Sequence, residues 1–349
     1  MTRPRPAALL VAASLLTLPG LARSVAEEPP AGPAPAAAAP ATATEAPSPR
    51  PEGRELAGHV FMPTLGIKGP FAVTSFGTFL TVGEGSSVGT VNLNLPDGST
   101  QTFSGSVEYV AIGGILSYEY EFLRGVSARI GLSESLYSGT TGAAMAAVGT
   151  NVRLGLGAGL TASLPIGDSI RVAAVIDATS APKLGLLLGP ALKSFADSCQ
   201  SGLADCTFDF DKLFKQENVF EVQPGVAASW APFKALGLTA NLSYSYSSIE
   251  TSGAGTVSSS GVSMGAAADF DFLAVSRVPV GLQLTWASQI PVSGDDNSRY
   301  TDAGGGLYYT GRKDLSLGLQ LFVRRFKVVP EVEVSWSTVM AMVGLRYYW

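Results

Sequence analysis

The chain has 349 residues and a net charge of −5; 15% of its residues are charged and 46% are hydrophobic. So mild a charge excludes a nucleic-acid partner. The length allows one large domain or two modest ones, and the shortage of charge is unusual for a water-soluble surface.

The first segment reads as a targeting signal. Arg3 and Arg5 precede an apolar core from Ala7 to Leu18, which is too short to span a bilayer as a helix. Gly20-Leu21-Ala22 and Ser24-Val25-Ala26 offer small-residue cleavage sites, so residues 1–26 are expected to be removed after residue 22 or 26. No Cys follows to carry a lipid. Residues 27–56, "EEPPAGPAPAAAAPATATEAPSPRPEGREL", are Pro- and Ala-rich and read as a disordered spacer. Export implies an oxidising compartment. Cys199 and Cys206 are the two cysteines, and a local disulfide is the natural reading. A metal site fits poorly, with a single His and no second Cys pair.

From residue 57 to 349 no apolar run reaches the roughly 18 residues of a membrane helix. Alternation recurs instead. Between 151 and 164 the even positions are Val, Leu and Ala, while the odd ones are Asn, Arg, Gly, Thr and Ser. Segments 236–246 and 315–323 repeat the pattern, with apolar residues at every second place. Segments 108–122, 126–136, 170–178, 220–230, 262–272, 278–290 and 303–309 follow, together with 338–349 and a less regular 72–82. That makes about twelve strands, long enough to cross a bilayer at a tilt. Short connections (123–125, 165–169, 231–235, 273–279, 310–314) alternate with longer polar ones (83–106, 137–150, 179–218, 248–260, 291–301). This is the hairpin ladder of an all-β, up-and-down antiparallel transmembrane barrel with short turns on one side. Near Ser337 the apolar phase changes from even to odd, and a one-residue bulge is expected there.

The choice between this barrel and a soluble sandwich rests on two features. The face opposite the apolar one is rich in small residues, among them Gly131, Gly157, Gly265, Gly306, Gly318 and Gly344. A soluble domain puts long charged residues there; the inside of a narrow barrel favours small ones. The aromatics of the apolar face gather at strand ends: Tyr118, Tyr120, Phe122, Trp230, Phe270, Phe272, Tyr309, Tyr347 and Trp349 at the short-turn level, and Phe220, Tyr244, Tyr246 and Trp286 nearer the other. These are interfacial girdles around a hydrocarbon band, with membrane lipid as the partner.

The final residues, "VGLRYYW", alternate and end on an aromatic. They resemble the C-terminal assembly signal of Gram-negative outer-membrane barrels. The resemblance implies that Tyr347 and Trp349 are read by the barrel-insertion machinery and that the protein lies in the outer membrane. The stretch "GHVFMPTLGIKGPF" is similar to the leader of hydrophobic-solute transporters such as the fatty-acid and phenol-pathway barrels. It implies a channel or transporter for small solutes, apolar ones among them.

The remaining charges fall on the lumen face. Glu119, Glu121, Arg129, Arg171, Asp269, Asp271 and Arg346 are expected near the short turns, and Arg153, Asp177, Glu221, Asp302 and Arg324 near the long loops. They are either charged rings along a solute path or opposite charges that pair and brace the wall. The long loop 179–218 is apolar at "LGLLLGPAL" and is a candidate plug or surface cap. Asp205, Asp209, Asp211, Asp295 and Asp296 read as solvated loop charge rather than a metal site. No cofactor is expected. A rim hydrolase needs His with Ser or Asp on the outer side, whereas His59 precedes the first strand on the short-turn side, so no enzyme is expected. The alternative to a channel is a structural barrel with a filled lumen and partner-binding outer loops.

Overall fold

A computed structural model describes residues 53–64, 66–94, 100–141, 144–145, 149–186, 214–251, 255–294, 299–328 and 333–349. The expected signal, most of the spacer, both cysteines and the acidic loop patches lie outside them.

Two short strands, β1 (Glu55–Leu56) and β2 (His59–Val60), pair with each other. Twelve long strands follow: β3 (Ser75–Asn94), β4 (Thr100–Leu123), β5 (Val126–Gly139), β6 (Thr150–Ile166), β7 (Ile170–Leu186), β8 (Phe214–Phe233), β9 (Leu236–Thr251), β10 (Gly255–Asp271), β11 (Val280–Gly294), β12 (Arg299–Tyr309), β13 (Leu315–Val328) and β14 (Glu333–Tyr348). They form one closed barrel of consecutive antiparallel neighbours, sealed where β14 pairs with β3 from Glu333↔Thr90 to Tyr348↔Ser75. Closure pairs every wall strand on both sides, which hydrocarbon requires because it offers no water to a free N–H or C=O.

Each expected strand is present, and most run further towards the long-loop end than their apolar pattern does. β3 and β4 extend into the expected loop 83–106, and β7 and β8 reach to Leu186 and back from Phe214. Hydrophobic alternation marks only the part of a strand that meets lipid; hydrogen-bonded pairing continues beyond it. The expected bulge near Ser337 is absent, since β13 and β14 pair without a shift from Val328↔Val334 to Leu315↔Tyr347. Trp336 instead turns into the lumen, its ring 5.3 Å from that of Tyr109.

The apolar side chains face outward. Leu154, Leu242 and Leu319 are each about half exposed, at 51%, 51% and 50%. At the short-turn end Trp349 stacks on Tyr347 at 5.8 Å and lies 6.0 Å from Tyr118, a continuous piece of the lower aromatic girdle. The turns there are tight. Gly125 has φ 77°, and a Cβ at that position would lie 2.7 Å from the Ser163 carbonyl oxygen. The β10–β11 turn holds a single helical turn, α1 (Leu273–Ser276), which ends at Arg277 with φ 60°.

One outward position breaks the pattern. Glu134 on β5 shares its exposed row with Ile130, Leu132 and Leu136. Its cross-strand partners are Gly114 and Leu154, and the exposed side chains of Ile112, Leu116 and Leu156 lie around it. A carboxyl among lipid-facing aliphatics is costly. Glu134→Leu should therefore stabilise the reconstituted protein by about 1–2 kcal/mol, read as a higher urea midpoint in liposomes. A lowered midpoint would mean that the carboxyl has a partner in the membrane.

Candidate functional site: the lumen and its inserted leader

The lumen is occupied from the short-turn end by the chain's own residues 53–74. Sequence reading gives 53–56 to the spacer, 57–71 to the approach to the first strand and 72–74 to the start of that strand; the described residues of all three fold inside the barrel. Ala57 donates its N–H to the Asp168 carbonyl oxygen at 2.9 Å, and the Ala57-Gly58 turn takes φ of 48° and 81°. Arg54 donates to the carbonyl oxygens of Phe61 and Lys313, and its guanidinium lies 4.0 Å from the Tyr348 ring centre. Lys313 ties Glu55 at 2.7 Å.

Above this base, Leu56, Phe61 and Ala231 pack together with Phe71 beside them. Ile67 packs on Ala267 and Ala287, on β10 and β11. The chain then returns. Thr74 accepts from the Trp349 N–H at 3.3 Å and, through its hydroxyl, from the Glu121 N–H at 3.1 Å. The inner-wall glycines give this insert its room. A Cβ on Gly237 would strike His59, one on Gly281 would strike Met62, and one on Gly265 would come within 2.9 Å of Ile67.

Polar wall residues hold the leader at two levels. Asp269 accepts from the Met62 N–H at 3.1 Å and from Gln283 Nε2 at 2.7 Å, and Gln320 Nε2 donates to Gln283 Oε1 at 3.3 Å. Higher up, Lys68 pairs with Asp177 and donates to Gln223 Oε1 at 3.3 Å. Asp177 also pairs with Arg129. Sequence reading sets these last two at opposite ends of the barrel; the structure brings them level. The register runs Glu119↔Arg129↔Gly159↔Asp177↔Gln223, one row across β4 to β8. Tilted, staggered strands shift equal-looking heights past one another, and the bare Gly159 lets Arg129 reach across β6.

The other sequence-predicted residues also line the inside. Arg324 grips Asp302 with three donor–acceptor contacts of 2.7 to 3.2 Å. Ser127 donates to Glu119 at 2.5 Å, Glu121 accepts the Gly125 N–H at 2.7 Å, and Asp271 accepts the Leu273 N–H at 2.9 Å. Arg171 donates to the Gly53 carbonyl oxygen at 2.6 Å, Arg346 to the Ser117 hydroxyl at 3.3 Å, and Gln223 to Glu221 at 2.5 Å. Arg153 sits on an inward, half-buried position of β6. Most of these charges are tied to protein partners, so bracing and leader-holding describe them better than free rings. On the β3, β4, β13 and β14 side the inner wall carries one apolar cluster, Phe79, Phe322, Met340 and Met342 with Ile115 beside them.

His59 is fully buried at the short-turn end. Its Nδ1 lies 3.1 Å from the Lys234 carbonyl oxygen and its ring meets Phe61 edge-on at 4.8 Å, while Nε2 has no hydrogen-bond partner. Burial lowers its pKa below 6.5, opposed in part by the Lys234 carbonyl. Among the described residues no group of three or more acidic, His or Cys side chains is placed to hold a metal.

No family model matches the chain, and no curated protein does. Among solved structures it is similar to the COG4313 outer membrane channel from Pseudomonas putida F1, at 12% identity over 83% of this chain and 100% of that one, with a TM-score of 0.47. It is also similar to the P. putida toluene transporter TodX (12% identity, 81% and 93% coverage, TM-score 0.39). A third is the translocator domain of the autotransporter NalP from Neisseria meningitidis (11% identity, 78% and 89% coverage, TM-score 0.44). These likenesses are too distant to bear on solute or mechanism.

Asp177→Asn strands both Lys68 and Arg129, so it should loosen the leader by on the order of 1–3 kcal/mol. Amide exchange over residues 59–68 should speed about fivefold or more with strand content unchanged; unaltered exchange would show that the pair does not hold the leader. Acid should act in the same direction through His59. A buried His of lowered pKa binds fewer protons than a released one. The docked state is therefore fully favoured above 6.5 and loses stability as pH falls through 6.5 towards the buried value. After correction for the base-catalysed intrinsic rate, the same amides should be less protected at acidic than at neutral pH, and His59→Gln should flatten that dependence.

Proposed function

We propose that the protein is an outer-membrane channel for small solutes, apolar ones among them, shown here closed by its own leader. The observation that carries this reading is the insert itself. Residues 53–74 occupy the lumen from the short-turn end without any covalent tie beyond the chain, through hydrogen bonds and two ion pairs, Lys68–Asp177 and Glu55–Lys313. Beside it the Phe79–Phe322–Met340–Met342 cluster gives an apolar solute a surface to move along. Withdrawal of the leader would open a path through the glycine-lined wall.

The setting follows from the same barrel. Residues 1–26 act as a cleaved export signal, and what remains of 27–52 spaces the leader on the short-turn, periplasmic side. The strand ending in Tyr347 and Trp349 is offered to the barrel-insertion machinery. In this reading Cys199 and Cys206, in the connection between β7 and β8, pair as a disulfide on the long-loop side. The charged pairs Arg129–Asp177 and Arg324–Asp302 set the polar part of the path and brace its wall.

The depth of the leader's burial favours a second reading, a structural barrel whose lumen is permanently filled. Planar-bilayer recording separates the two. The wild type should be nearly silent, and a variant with residues 57–70 replaced by a Gly-Ser linker should give ohmic currents. If that variant is silent while its heat-modifiable gel mobility shows an intact barrel, the channel reading is wrong and the filled barrel stands.

A further inference from the structure

Barrel strands place their cations inward. Among residues with described side chains, Arg129, Arg153, Arg171, Lys183, Arg324 and Arg346 all alternate to the lumen face. So does Lys215, which is ion-paired with Glu217 at 2.6 Å. Arg299 on β12 and Arg325 on β13 are the exceptions. Arg299 falls in the outward row of Ala303, Leu307 and Tyr309, and Arg325 in that of Leu317, Leu319, Leu321 and Val323. The register pairs Thr301 with Arg325, which makes the two arginines diagonal neighbours on one patch of outer wall. Both are exposed, and neither makes a hydrogen bond or ion pair within the described residues. The contrast inside one strand is sharp, since the adjacent Arg324 turns inward to Asp302.

Height and surroundings identify what this patch meets. Towards the short turns the same rows become lipid-facing aliphatics, with Leu321 58% and Val323 37% exposed. On the other side of Arg325 its register partner on β14 is Ser337, also exposed. The guanidinium groups therefore stand at the long-loop edge of the hydrocarbon band, where headgroups begin. Across the seam the outward charges of β3–β5 are Glu84, Glu108 and Glu134, so an anionic headgroup is attracted to one flank only. A guanidinium presents a planar fork of donors that matches phosphate, and two forks with a neighbouring hydroxyl can hold one phosphate from several directions.

We propose that Arg299 and Arg325 form a seat for the phosphate of a phosphorylated lipid in the leaflet at the long-loop end. The seat depends on the barrel's outward face and is independent of whether the lumen conducts. Native mass spectrometry of the full protein tests it, with a bisphosphorylated glycolipid and the same glycolipid dephosphorylated as probes. The wild type should bind the phosphorylated form at least about tenfold more tightly, and Arg299→Gln/Arg325→Gln should bind both alike while keeping heat-modifiable mobility. Inorganic phosphate at the same concentration should not displace the lipid. A wild type that does not discriminate overturns the proposal, whatever the variant's folding. So does a folded double variant that still discriminates, or equal displacement by inorganic phosphate, which would mark a site for the free ion.

Discussion

The structure depends on one constraint: a strand in hydrocarbon must spend its backbone hydrogen bonds on other strands, so the first and last strands have to meet. The β14–β3 seam, from Glu333↔Thr90 to Tyr348↔Ser75, meets that requirement. Once the ring is closed, the two-residue period of each strand sorts every side chain to lipid or lumen. The half-exposed leucines outside and the glycines inside are two readings of one alternation.

A closed ring of twelve strands encloses a lumen, and this chain fills much of it with residues 53–74 and with its own large inward side chains. The fit is mutual. Gly237, Gly265 and Gly281 are small where His59, Ile67 and Met62 are large. Polar contacts tie its base, through Arg54, Glu55 and Ala57, and recur at two heights above, Asp269 on the Met62 amide and Asp177 on Lys68, with apolar packing between. An insert held in this way is firmly seated yet separable, because its contacts are local and none is covalent. The unpartnered His59 nitrogen at its base makes that seating sensitive to protons.

The barrel was legible in the sequence because lipid imposes a strong, regular pattern, and all twelve strands fall where alternation puts them. What lipid does not touch was less legible. Strand ends beyond the membrane carry no hydrophobic signature, so their length was underestimated, and the phase change near Ser337 was taken for a bulge when Trp336 simply belongs to the lumen. The leader's fate was missed for a similar reason. "GHVFMPTLGIKGPF" has no strand period, and its inward docking is written in the glycines of β9, β10 and β11 rather than in itself. The Arg129–Asp177 pair required the stagger of the barrel, which emerges only from the register. Glu134 was hidden in plain alternation, standing where an aliphatic is expected, while Arg299 and Arg325 fall beyond the alternating segments and are placed on the outer wall only by the longer strands β12 and β13.

Site-directed spin labelling of the reconstituted protein tests the arrangement most directly, through collision with oxygen and with a water-soluble nickel complex at residues 67, 242 and 319. Labels replacing Leu242 and Leu319 should collide freely with oxygen and hardly with nickel, while one replacing Ile67 should be shielded from both. Labels at 242 and 319 that are screened from oxygen, or a label at 67 open to nickel, would contradict an oily exterior wrapped around a chain-filled lumen.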